Sequence, residues 1–148
     1  MDEYKIVNGS AGHIDSLEEL ERSCFSVPWT REQLISQLPD QMHIFLVMEH
    51  KGTAVGYVGM MYVLDEGYIS NVAVSPAHRR RGLADLLIAE ILRAAQDKDL
   101  SFVTLEVRQS NSPAINLYDK HGFVRVGQRK NYYDQPKEDA VLMTKFLK

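Results

Sequence analysis

Apolar positions along the chain follow two periods, and the switches between them mark the elements. Tyr4-Lys5-Ile6-Val7 reads as a short strand closed by Asn8-Gly9. From Ile14 onward, Leu17, Leu20 and Cys24 form a helical stripe against an acidic outer face of Asp15, Glu18, Glu19 and Glu21. After Pro28, Thr30-Arg31-Glu32-Gln33 has the form of a capping box and opens a second helix through Leu34, Ile35 and Leu38, which Pro39 stops. Ile44 to Met48, Ala54 to Leu64 and Tyr68 to Val74 are apolar runs at hairpin spacing, an antiparallel meander. Gly56 and Gly59 inside the middle run point to a bulge or to the close approach of another backbone.

A long helix begins near Gly82, with Leu83, Leu86, Leu87, Ile91 and Leu92 on its buried stripe and Ala94 and Ala95 close behind. Phe102 to Val107 is a strand. Ser112 is the expected N-cap of another helix, with Pro113 at its first position, Ile115 and Tyr118 on one face and His121-Gly122 at its end. Phe123 to Tyr133 reads as a strand, Asp134-Gln135-Pro136 as a turn and Ala140 to Leu147 as the last strand. The strand–helix–strand piece from Tyr68 to Val107 is expected to be a right-handed crossover between parallel strands. With 148 residues, 45% of them hydrophobic, the chain can bury a substantial core. No repeat, low-complexity tract or linker interrupts it, so one mixed α/β domain over residues 1–148 is expected.

Charge narrows the functional classes. The net charge of −3 gives no basic face for nucleic acid, and Arg79, Arg80 and Arg81 form only a local cluster. The single cysteine, Cys24, excludes an intrachain disulfide framework, fits a reducing compartment and reads as a buried small apolar residue. Met1-Asp2-Glu3-Tyr4-Lys5 lacks the layout of a signal peptide, and no apolar run is long enough to span a bilayer. A soluble cytoplasmic protein is expected, with no membrane partner. The five histidines lack metal-ligand spacing, so no metal is expected.

The segment from Asn71 to Ala84 gathers the clearest candidate chemistry. A β-type run ends at Pro76, a basic turn follows, and a helix starts at Gly82. A helix N-terminus offers unpaired N–H groups and the positive end of the dipole, and small Gly82 and Ala84 let phosphates approach the backbone. The site is neither a P-loop, lacking Gly-Lys-Ser/Thr, nor a dinucleotide fingerprint, lacking G-x-G-x-x-G. Arg79-x-x-Gly82-x-Ala84 after Val-Ala-Val resembles the acetyl-CoA signature of the GNAT N-acetyltransferases, Gln/Arg-x-x-Gly-x-Gly/Ala. Pro28-Trp29-Thr30, Leu105-Glu106-Val107-Arg108, Asn111, Ala114 to Phe123 and Asn131-Tyr132-Tyr133 extend the resemblance over nearly the whole chain, most closely to the RimI-like ribosomal-protein alanine N-acetyltransferases. That resemblance implies the GNAT fold, a mixed, mostly antiparallel central sheet of about seven strands flanked by about four helices.

The resemblance also implies an activity and roles. The expected reaction moves an acetyl group from acetyl-CoA to the α-amine of a protein N-terminus, by direct attack in a ternary complex; the family's substrate is the N-terminal alanine of ribosomal protein S18. Such chemistry needs a base for the ammonium, a donor at the carbonyl oxygen and an acid for the leaving thiolate. By resemblance Glu106 is the base and Tyr118 the acid, with Glu106 needing burial or a water relay to act. Strand alternation alone would leave Glu106 a solvated charge partnered by Arg108 or a lysine, and Tyr118 an ordinary core residue. The backbone of Val72, Ala73 and Val74 is expected to pair with the pantetheine arm. The amides of Arg79, Arg80, Arg81, Gly82, Leu83 and Ala84 would hold the pyrophosphate, with arginine side chains secondary. Asn111 would contact CoA, or else support the helix cap. Trp29, Tyr132 and Tyr133 would line an acceptor slot; Trp29 has the alternative role of a hydrophobic staple beside Thr30. The rival readings are a GNAT enzyme acting on a small amine, such as a polyamine, aminoglycoside or amino acid, and a non-catalytic CoA-binding protein.

Overall fold

The computed structural model describes residues 3–134 and 136–148, so Gln135 of the expected turn, with Met1 and Asp2, lies outside the described residues. Seven strands form one sheet: β1 (Tyr4–Asn8), β2 (His43–His50), β3 (Thr53–Val63), β4 (Glu66–Val74), β5 (Phe102–Arg108), β6 (Val124–Asp134) and β7 (Lys137–Phe146). Four α-helices accompany them: α1 (Ile14–Cys24), α2 (Arg31–Ser36), α3 (Leu83–Asp97) and α4 (Ser112–Lys120). The spatial order is β1-β2-β3-β4-β5-β7-β6, antiparallel except for the β4–β5 pair that α3 connects. The last strand thus inserts between β5 and β6, leaving β6 at the edge.

The two faces of the sheet bury separate cores. On one, α1 and α2 cover Phe45, Val47, Tyr57 and Ala73 with Ile14, Leu17, Leu20 and Leu34. On the other, α3 contributes Leu83, Leu87, Ile88, Ile91, Leu92 and Ala95, and α4 contributes Ile115 and Tyr118. Each fully buried aliphatic side chain there stabilises the fold by roughly 1.5–3 kcal/mol. Leu86, expected on the α3 stripe, is instead 52% exposed. At 100° per residue it falls off the face that Leu83, Leu87 and Ile91 share.

Local signals place the helix ends. Thr30 caps α2 through Gln33 N–H, and Gln33 Oε1 accepts the Thr30 N–H in return, the reciprocal box that the Thr-x-x-Gln pattern predicts. The cap of α4 is Asn111, not Ser112: its Oδ1 accepts the Ala114 N–H at 3.2 Å, which shifts Pro113 to the second helical position. Gly122, at φ +89°, ends that helix as expected. Both glycine expectations in β3 hold. The β3–β4 register shifts between Gly59 and Met60, and a Cβ on Gly56 would meet the Ala73 carbonyl oxygen at 2.9 Å.

Candidate active site

β4 and β5 pair in parallel over only three residues, ending at Tyr68 opposite Thr104, while β4 stays paired with β3 through Val74. Beyond Tyr68 the two strands part, and the β5-side edge of β4 has no ladder among the described residues. Other groups occupy it. The Val72 N–H donates to Asn71 Oδ1 at 3.1 Å, and the Val74 carbonyl accepts from Arg79 Nε at 3.1 Å and from Cys24 Sγ at 3.4 Å. Cys24 is therefore not the buried apolar residue expected; it is half-buried at the edge of a groove.

That groove has a volume of about 900 Å³ and runs from the parted strands to the start of α3. Its walls include Val72, Ala73, Val74, Arg79, Arg80, Gly82, Leu83, Ala84 and Asn111, all named from sequence. Gly82 is the N-cap of α3 at φ +74°, a left-handed conformation that favours glycine, and Arg80 also has positive φ (+65°). No side chain caps α3 among the described residues, so its first N–H groups face the groove with the positive end of the dipole. Asp85 in the same turn would oppose an anion, but Lys120 Nζ and His121 Nε2 each lie 3.0 Å from its Oδ1. Lys120, then His121, hold its carboxyl below the usual aspartate range.

Arg81 departs from the expected set: its guanidinium donates to the Tyr4 hydroxyl at 2.7 Å and does not line the groove. Tyr118 also stays out of the lining. It is 6% exposed, packed against Phe123 with ring centroids 5.6 Å apart, and burial, then Tyr133, push its phenol well above the ordinary range. Its neighbour Leu117 does reach the groove, with Pro113, Asn116 and Lys120. Those residues escaped sequence reasoning, although their i, i+3, i+4, i+7 spacing marks one face of α4.

Glu106 lies on β5 two residues past the last β4–β5 pair, at the mouth of the opening. Its side chain is 11% exposed, accepts a hydrogen bond from the Tyr68 hydroxyl at 3.1 Å and lies 4.0 Å from Arg129 Nε. Arg108 donates to Glu138 and to the Pro136 carbonyl and covers the Tyr133 ring at 4.3 Å. A hydrogen bond to the Glu106 carboxylate, then burial, raise the Tyr132 phenol, and burial, then Tyr132, push Tyr133 up to about 12. Glu106, Tyr68, Tyr132 and Tyr133 therefore form one cluster. Tyr68 and Arg129 were missed because cross-strand registers of distant segments put them there.

Trp29 belongs to a different group. Its backbone N–H donates to Glu21 Oε1 at 2.7 Å, its ring stacks 6.1 Å from Tyr57, and it packs on the core that holds Leu34, which suits a staple. Among the described residues no His/Cys/Asp/Glu cluster is suited to a metal, and no helix is long and apolar enough to cross a membrane.

The Acetyltransferase (GNAT) family model matches residues 14–123. A Bacillus subtilis protein provisionally named ribosomal protein bS18-alanine N-acetyltransferase is 38% identical over 131 residues, covering 88% of this chain and 87% of the relative. The Haemophilus ducreyi ribosomal protein bS18-alanine N-acetyltransferase is 34% identical, covering 88% and 92%. The crystal structure of the ribosomal-protein-S18-alanine N-acetyltransferase from Escherichia coli superposes with a TM-score of 0.91 at 26% identity, covering 98% and 94%.

Proposed function

The chain belongs to the GNAT family as an acetyl-CoA-dependent N-acetyltransferase of the RimI-like kind, and from that premise we propose that it acetylates the α-amine of a protein N-terminus, with the N-terminal alanine of ribosomal protein S18 as its substrate. The observation that carries this reading is the position of Glu106, nearly buried at the point where β4 and β5 part and ringed by tyrosines. The relatives named for the same acceptor support it. A cytoplasmic location belongs to the same reading.

Acetyl-CoA occupies the groove, its pyrophosphate on the amides opening α3 and its pantetheine arm along the free edge of β4. Asn111 contacts it from the start of α4. To bind, the arm displaces Arg79 and Cys24 from the Val74 carbonyl. The Val72 N–H faces the same opening and polarises the thioester carbonyl, where negative charge develops. Glu106 takes a proton from the acceptor ammonium, and the free amine attacks the carbonyl carbon. The carbon–sulfur bond of the tetrahedral intermediate then breaks, Tyr118 protonates the departing thiolate, and the second proton shed by the new amide nitrogen restores the phenol. Tyr132 and Tyr133 line one side of the acceptor slot, and the loop that carries Trp29 lines the other.

Steady-state transfer read by mass spectrometry tests the acceptor. One arm uses peptides with free N-terminal Ala, Ser or Met, and the other a panel of polyamines, aminoglycosides and amino acids. Turnover of the Ala peptide with the highest kcat/KM supports the reading. Turnover confined to small amines overturns it and leaves the donor site in place.

A further inference from the structure

Glu21 is an acid where an apolar residue would pack. It sits on the inward face of α1 beside Leu17 and Leu20, only 1% exposed. A buried carboxylate is costly unless hydrogen-bonded, and the partners of Glu21 form a directed path. Its Oε1 accepts the Trp29 N–H at 2.7 Å, and its Oε2 accepts the Tyr57 hydroxyl proton. The Tyr57 oxygen in turn accepts from Asn71 Nδ2 at 2.9 Å. Asn71 Oδ1 accepts the Val72 N–H at 3.1 Å. The path therefore ends in two backbone amides, one in the loop between α1 and α2 and one on the open edge of β4. Every intermediate group serves as both donor and acceptor or takes two donors, so a change at one end is felt along it.

We infer that Glu21, Tyr57 and Asn71 are positioning residues that couple occupancy of the donor groove to the loop carrying Trp29. The inference rests on the proposed role of Val72. A thioester carbonyl taking the Val72 N–H competes with Asn71 Oδ1 and frees that side chain to turn. The turn loosens the Asn71–Tyr57 bond, Tyr57 and Glu21 adjust, and the loop that presents Trp29 to the acceptor follows. Binding of the donor thus prepares the acceptor slot, and by linkage the acceptor favours donor binding to the same degree.

Trp29 is the single tryptophan, so its emission reports on the loop without any acceptor present. Acetyl-CoA is titrated into the wild-type protein, Asn71→Ala and Tyr57→Phe, with binding followed independently by calorimetry. The wild-type emission changes on binding, whereas both variants bind acetyl-CoA without that change. Asn71→Ala is the sharper variant, because it leaves the Glu21–Trp29 contact untouched. A purely structural role would lower the melting temperature and leave the response intact. Glu21→Gln, which loses one charge-assisted bond, raises KM for the Ala peptide about tenfold while KM for acetyl-CoA holds. An emission response preserved in both path variants, or an unchanged peptide KM in Glu21→Gln, overturns the inference. Absence of peptide turnover in the wild type would instead sink the acceptor reading, and the emission titration would still decide this one.

Discussion

The proposed donor groove and the proposed acceptor face of this protein are built from different materials. The groove uses backbone: the opened edge of β4, the left-handed Gly82 and the uncapped start of α3. The proposed acceptor face uses side chains, with Glu106 from β5, Tyr68 from β4, and Tyr132 and Arg129 from β6. Backbone recognition suits a ligand whose phosphates and amides are invariant. Side-chain recognition can be retuned one residue at a time, which suits selection of one acceptor amine among many.

The comparison predicts that substitutions on the two sides damage different kinetic constants. Glu106→Gln has the largest expected effect: kcat falls about 100-fold or more, and acetyl-CoA affinity measured by calorimetry is unchanged. A matching loss of acetyl-CoA affinity would place Glu106 in donor binding and break the division.

Tyr118→Phe comes next, lowering kcat about tenfold in pre-steady-state transfer while the protein keeps its fold and its donor affinity. The ring still packs on Phe123, so only the hydroxyl is removed.

Gly82→Ala tests the donor side. A Cβ there meets nothing within 4 Å, so its cost is conformational, about 1–2 kcal/mol for a left-handed residue at φ +74°. KM for acetyl-CoA rises up to about tenfold in steady-state kinetics, and KM for the acceptor is unchanged.

The two sides differed equally in how far they could be read from sequence. The basic turn, the helix start and the bulged β3 are local features, legible because a few adjacent residues determine each of them. Thr30 and Gly122 declared their helix ends for the same reason. Asn111 was misjudged by one position because Asn and Ser both cap well, and spacing alone could not choose between them. Arg79, Arg80 and Arg81 look equivalent in sequence, yet Arg79 turns onto the Val74 carbonyl and Arg81 onto Tyr4, since a guanidinium follows whichever acceptor its strand or turn brings near. Glu106 was found by resemblance, but its partners Tyr68 and Arg129 depend on registers between strands far apart in the chain. Glu21 looked like one more acid on an exposed face. Only the packing of α1 onto Tyr57 reveals that it points inward.

That buried acid supplies the smallest effect and a pH test. Burial raises the Glu21 carboxyl above its ordinary 4.5, although bonds from Tyr57 and Trp29 pull it partly back. The folded state therefore keeps this proton to higher pH than the unfolded state does. Its contribution to stability is complete below about 4.5 and is lost as pH rises through the folded value. In urea unfolding followed from pH 4 upward, wild-type stability should decline relative to Glu21→Gln across that window. Parallel curves would show that Glu21 titrates alike in both states.

The most direct test of the whole account is to incubate the protein and acetyl-CoA with ribosomal protein S18 bearing a free N-terminal alanine, then locate the product's acetyl groups by mass spectrometry. One acetyl group on the α-amine is expected, and none on S18 whose N-terminus has been blocked beforehand. Acetylation of lysine side chains, or an untouched S18 under conditions where a small amine is acetylated, would contradict it.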